Sequence, residues 1–117
     1  MKSHKDLDVW KRSVELVTFI YEVTKTFPKE EMYGITNQIR RAAISIPSNI
    51  AEGAARNHSK EFIQFLYISL GSISELETQT IISENLIFLS SDDSIKIQNE
   101  LTELRKMTIG LIKSLGN

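Results

Sequence analysis

Apolar residues recur at steps of three and four in four separate stretches of the chain, the spacing of one helix face. The first stretch runs from about Leu7 to Phe27, with Leu7, Trp10, Val14, Val17, Tyr21 and Thr24 forming its predicted stripe. Pro28 ends it, because a residue before proline is pushed out of the helical region. The second begins near Glu30 to Tyr33 and reaches about Ala55, with Ile35, Ile39, Ala43 (or Ala42), Ile46, Ile50 and Gly53 as its stripe. The third opens at Ser59, which has the chemistry of an N-cap, and Glu61 follows in the first turn, where a negative charge suits the helix dipole. It carries Phe62, Leu66, Ser69, Ile73, Leu76 and Thr80 and should end between Asn85 and Leu89. Ser90, Ser91, Asp92 and Asp93 then offer a cap and dipole-matched acids to the fourth. Its stripe is Ile97, Leu101, Leu104, Thr108, Leu111 and Leu115, and Lys113 stands near its C-terminal end. No stretch alternates apolar and polar residues long enough to make a strand. Four amphipathic helices of about 20 residues, each about 30 Å long and joined by short connections, predict an all-α fold: an antiparallel up-and-down four-helix bundle. The 117 residues form one domain, with no repeat, linker or low-complexity segment between them.

The second helix is unusual on its other sides. Gln38, Arg41, Ser45, Asn49, Glu52 and Arg56 fall at steps of three and four and so share a face that borders the core stripe. Ala42, Ala51, Ala54 and Ser48 occupy the rest, and all are small. A solvated helix face normally carries more lysine and glutamate. A helix that is small all round suits close approach on more than one side, and a second chain would supply the outer neighbour. Arg41, Ser45, Ser48, Asn49, Ala51, Glu52 and Arg56 are therefore the candidate oligomer interface. Glu52 is expected to be at least partly buried, with Arg56 four residues on, or Arg41 of a neighbouring chain, as its cation. Pro47 removes an N–H and crowds the carbonyl of Ala43, so a kink or opening is expected there, with Ser45, Ser48 and Asn49 placed to bond the freed groups.

The run "IRRAAISIPSNIAEGAAR", with "DLDVWKRSVEL" before it and "SKEFIQFLYISLGSISELETQ" after it, closely resembles the four-helix-bundle proteins encoded by intervening sequences in bacterial large-subunit (23S) rRNA genes. The likeness extends over roughly residues 7–115. It maps onto Arg40, Arg41, Ser45, Pro47, Asn49, Glu52, Gly53 and Arg56, then Phe62, Gly71, Ser72 and Glu75. Ala55 stands where glycine is frequent in that pattern and Ser69 where alanine is frequent, and both stay small. The resemblance implies an up-and-down bundle assembled as a ring-shaped homopentamer. Related proteins are accessory subunits of reverse transcriptases in diversity-generating retroelements, where a basic ring binds nucleic acid and the polymerase.

Charge bears on which of those roles to expect. The net charge is −1, but residues 1–60 carry 10 Lys+Arg against 7 Asp+Glu and residues 61–117 carry 4 against 8. Such asymmetry can mark a nucleic-acid surface or two faces that neutralise each other. The candidate nucleic-acid contacts are Lys11, Arg12, Arg40, Arg41, Arg56 and Lys60. Only Trp10 and Tyr33 lie near them to stack on bases, and both are expected to pack instead. A slightly acidic chain departs from the strongly basic accessory rings, so the expected role is a scaffold or accessory ring for a protein partner. The alternative is a nucleic-acid-binding ring using basic residues of the first two helices.

Chemistry is sparse. There is no cysteine, and His4 and His58 are far apart and near predicted helix ends. The Glu-x-x-His pairs of di-metal bundles do not occur, nor does a phosphate-cradling glycine loop or a G-x-S-x-G elbow. Glu75 and Glu77, two apart on one helix, face different ways. No catalytic activity, cofactor or metal is expected. With no secretory signal and no membrane-length apolar run, the expected location is cytoplasmic.

Overall fold

The computed structural model describes residues 3–116, and among them it contains helices and no strand. The four long helices are α1 (Asp8–Thr24), α2 (Ile35–Ala54), α3 (Ser59–Asn85) and α4 (Ser91–Gly116), with 3-10 turns at His4–Asp6 and Lys29–Glu31. They form a closed cycle in chain order: α1 packs on α2, α2 on α3, α3 on α4, and α4 returns to α1. Pairings across the seams fix the directions. Ser45 meets Ser72 and Gly53 lies against Phe62 between α2 and α3. Glu84 meets Ser91 and Glu77 meets Arg105 between α3 and α4. Arg12 meets Glu100 and Phe19 meets Lys96 between α1 and α4, and these three seams fix the direction of the fourth. Partners thus run in opposite directions along each seam, as an up-and-down bundle requires. The bundle measures 44 × 23 × 20 Å.

The expected stripe of α3 is buried, and so is that of α2 apart from half-buried Ile35 at its start. Ile39, Ala43, Ile46 and Ile50 of α2 meet Phe62, Leu66, Ile73 and Leu76 of α3 in one core, to which α4 adds Ile97, Leu101 and Leu104. The first stripe is different. In α1 the buried residues are Val9, Ser13, Leu16, Ile20 and Thr24, while Val14 and Tyr21 are exposed. Leu7, Trp10 and Val17 are half-buried and cover the rim of the core. Two apolar rows lie about 100° apart on this helix, and the one with Leu16 and Ile20 faces inward. Buried Thr24, Thr80 and Thr108 bond back along their own helices, to Ile20 O, Leu76 O and Leu104 O, each at 2.7 Å. The buried Thr36 Oγ1, Gln79 Oε1 and Ser83 Oγ, by contrast, have no hydrogen-bond partner among the described residues.

The helix ends also correct the sequence reading. Helix α1 stops at Thr24, and Phe27, placed in the connection, is buried with its ring 5.8 Å from that of Phe88. Helix α2 starts at Ile35, because residues 29–31 close a separate 3-10 turn. At α3 the cap position belongs to His58, which makes no side-chain cap bond; Ser59 is already helical. At α4 the cap is made as expected, with Ser90 Oγ accepting from the Asp93 N–H at 3.1 Å.

Two tight places need particular backbones. Gly53 lies against α3 so closely that a Cβ there would sit 2.8 Å from Phe65 Cβ, 2.9 Å from Phe62 Cδ1 and 3.2 Å from the Phe62 carbonyl oxygen. Helix α3 ends in a Schellman motif: the Phe88 N–H donates to Ser83 O at 3.0 Å and the Ile87 N–H to Glu84 O at 2.9 Å. That motif puts Ile87 at φ 64°, a position normally given to glycine. An L-residue in this conformation costs about 1–2 kcal/mol. Ile87 is 90% exposed, so its side chain recovers little of that cost by packing within the protomer.

Candidate interaction surfaces

Helix α2 carries the candidate interface, and it runs unbroken through Pro47, which is itself buried. The expected opening does not interrupt the helix. The two carbonyls just before the proline have side-chain partners: Asn49 Nδ2 donates to Ser45 O at 2.8 Å, and the buried Ser69 Oγ of α3 donates to Ile46 O at 3.1 Å. Ser45 and Ser72 hydroxyls share a hydrogen bond at 2.6 Å, and Asn49 Nδ2 also reaches Ser45 Oγ at 3.0 Å. Ser45 and Asn49 therefore sit in the α2–α3 seam, half-buried and bonded inside the protomer. Ser48 and Arg41 are exposed and Ala51 is half-buried, while Ala42 is part of the core.

Glu52 finds its cation at the expected spacing. Arg56 Nη2 donates to Glu52 Oε1 at 3.0 Å, and its Nη1 lies 3.9 Å from Glu61. The guanidinium also stands 5.0 Å over the Phe65 ring. Within the protomer, however, the Glu52 side chain is 55% exposed and that of Arg56 43%. The burial expected of Glu52 is not met in a single chain, because no neighbouring helix covers the outward side of α2.

That outward side has an order the row of polar residues did not reveal. Asn37, Arg41, Ile44, Ser48, Ala51 and Ala55 follow one another at steps of four and three, and only Arg41 among them is charged. Ile44 is exposed, as are Tyr67, Ile68 and Gly71 on the neighbouring helix. Helix α3 supports this surface in its composition: from Glu61 to Ile95 the chain has no lysine or arginine.

The candidate nucleic-acid contacts divide into two groups. Arg12 makes a two-pronged bond to Glu100 at 2.8 and 3.0 Å, which joins α1 to α4. Arg40 donates to Thr24 Oγ1 at 2.8 Å and covers the Tyr21 ring at 4.6 Å. Arg56 is occupied with Glu52 and Glu61. Lys11, Arg41 and Lys60 form no ion pair among the described residues and are exposed. Lys11 and Lys60 lie at the end of the bundle that holds the α2–α3 turn, whereas Arg41 is about 20 Å farther along α2. Trp10 packs as expected, edge-on to the His4 ring at 5.0 Å. Tyr33 does not, being 96% exposed.

Sequence reasoning gave no sign of the groove between α1 and α4. It encloses about 380 Å³, with Leu16 and Phe19 as its apolar floor and Arg12, Glu15, Glu22, Lys96 and Glu100 around it. Lys96 Nζ sits 4.3 Å over the Phe19 ring. The groove depends on the spacing between two helices, which no single-helix pattern encodes. No cluster of three or more metal-ligating side chains occurs among the described residues, and none of their helices is long and apolar enough to cross a membrane.

The sequence model of the 23S rRNA-intervening sequence proteins matches residues 5–110. The chain belongs to that family. A solved structure of like fold is that of a protein of unknown function from the S23 ribosomal protein family of Bacteroides thetaiotaomicron, 26% identical, with a TM-score of 0.82 over 90% of this chain and 98% of that one. No curated protein matches the chain. The family match spans all four helices almost in full, including the Gly53 contact and the seam of Ser45 and Ser72.

Proposed function

We propose that this family member is a non-enzymatic, self-assembling bundle that serves as a scaffold or accessory ring for a protein partner. The observation that carries the reading is the outward side of α2: a row at helical spacing, built of small and apolar residues with one charge, next to exposed Tyr67, Ile68 and Gly71 of α3. Exposed helices in a monomer carry mixed charge at such positions; small residues let two helices approach closely, as they do at Gly53 within the protomer. Assembly through this side would cover Ser48, Ala51 and the Glu52–Arg56 pair, and five copies is the number implied by the resemblance. Ala51→Lys tests it. A long charged side chain at the proposed contact should split the assembly into protomers while leaving the helical circular dichroism unchanged, because position 51 lies outside the core. An assembly that survives this substitution at its original mass contradicts the reading.

A nucleic-acid-binding ring receives less support. Three of its six candidate cations are engaged with protein groups, and the remaining three do not share one patch.

A further inference from the structure

The bundle is polarised along its length. The connection between α1 and α2 and the turn between α3 and α4 share one end, where Phe27 and Phe88 touch. Residues 22–34 and 81–96 build that end and carry six acids, Glu22, Glu30, Glu31, Glu84, Asp92 and Asp93, against three lysines. Only Glu22 among those acids forms an ion pair among the described residues, with Lys25 at 3.3 Å. Glu31 accepts from the Ile35 N–H at 3.4 Å, and Asp92 and Asp93 begin α4. These helix-end positions suit the acids locally and leave the net negative charge in place.

The same end is apolar at its tip. Tyr33 is 96% exposed and Ile87 90%, and Met32, Leu86, Ile82 and Ile95 are exposed beside them or one turn below. Ile87 is the informative member. Its left-handed backbone conformation is one in which glycine or asparagine would be more stable, and its side chain packs on almost nothing in the protomer. A β-branched apolar residue held out to solvent on a strained turn has no structural benefit within its own chain, and strain of this kind clusters at functional sites such as ligand clamps and switch regions.

We infer that this end is the docking surface for a basic amphipathic segment of the protein partner, its apolar side received by Tyr33, Leu86 and Ile87 and its cations by Glu30, Glu31 and Glu84. The inference rests on the reading of the protein as a partner-binding scaffold and names the partner's chemistry. The surrounding acids select against an acidic segment and steer a basic one toward the tip. The docking end is distinct from the outward side of α2, so assembly and docking use different surfaces.

The test uses a fluorescent Leu/Lys amphipathic helical peptide of about 18 residues and its Leu/Glu counterpart, titrated with the full chain at physiological salt. The Leu/Lys peptide should bind and the Leu/Glu peptide should not. Ile87→Asn and Tyr33→Ser should each weaken binding at least about tenfold, whereas Ile109→Asn, at an exposed apolar site on α4, should leave it unchanged. Asparagine favours the left-handed conformation, so Ile87→Asn keeps the fold and removes only the apolar tip. Absence of Leu/Lys binding, or equal binding by Ile87→Asn, overturns the inference. Light scattering on the same two variants should give the wild-type mass; dissociation would overturn it too, by making the tip a self-contact. A wild-type chain that is monomeric refutes the assembly reading, while the peptide titration still decides the docking end.

Discussion

Replacing Gly53 by alanine sets two effects of known sign against each other. In the interior of a helix, alanine is favoured over glycine by about 0.8–1 kcal/mol, and Gly53, one residue from the end of α2, gains at most that. Against that, the new methyl carbon would stand 2.8 Å from Phe65 Cβ and 3.2 Å from the Phe62 carbonyl oxygen. Neither atom lies at the end of a flexible chain, so rotamer changes cannot clear the space and α2 must move away from α3. Overpacking of this kind costs about 1–3 kcal/mol. Gly110 provides the control, because it is helical and exposed, stands on α4 away from the proposed assembly surface, and a Cβ there meets nothing within 4 Å. Gly110→Ala should therefore stabilise by roughly the helix-propensity difference alone. Gly53→Ala gains no more propensity than that and adds the overpacking, so it should fall below Gly110→Ala by at least about 1–3 kcal/mol. Urea titrations followed by circular dichroism, at one fixed protomer concentration because assembly shifts apparent stability, measure this directly. A Gly53→Ala variant as stable as Gly110→Ala would refute the close α2–α3 contact.

Three other outcomes are expected. Ile87→Gly should raise stability by about 1 kcal/mol in the same titration, since it relieves the left-handed strain and removes a side chain that packs on almost nothing; a loss of stability would mean that Ile87 is packed. Glu52→Ala should cost no more than about 1 kcal/mol where protomers are dilute and separate, as for an exposed pair, and about 3–5 kcal/mol where assembly buries the pair; a cost that does not change with concentration argues against burial of Glu52 in the interface. Generic RNA or DNA should bind more weakly than about 1 µM at physiological salt, with steep salt dependence, in fluorescence anisotropy; nanomolar, salt-tolerant binding would favour the nucleic-acid ring.

How far the sequence can be read depends on how many solutions each helix allows. In α2 and α3 the large aliphatics Ile39, Ile46, Ile50, Leu66, Ile73 and Leu76 make one continuous row, and that row is the core. Helix α1 has two such rows side by side, and only packing against α2 and α4 selects Leu16 and Ile20 over Val14 and Tyr21. The Glu52–Arg56 pair was legible because it lies within one helix turn. The groove over Phe19 was not, since it arises from the separation of α1 and α4. Ile87 was also hidden. Left-handed helix ends are recognised by glycine or asparagine, and here an isoleucine occupies the position. The half-to-half charge asymmetry of the sequence is met in three dimensions by pairs between the halves such as Arg12–Glu100, whereas the acidic end of the bundle draws three of its six acids from each half.

If the outward side of α2 joins copies of this chain, the wild-type protein is an assembly in solution, and its mass there reveals this without any substitution. Size-exclusion chromatography with light scattering at micromolar concentration should give a multiple of the 13.3 kDa protomer, with five copies expected. A mass of 13.3 kDa under those conditions would mean that this side of α2 faces solvent and not a second copy.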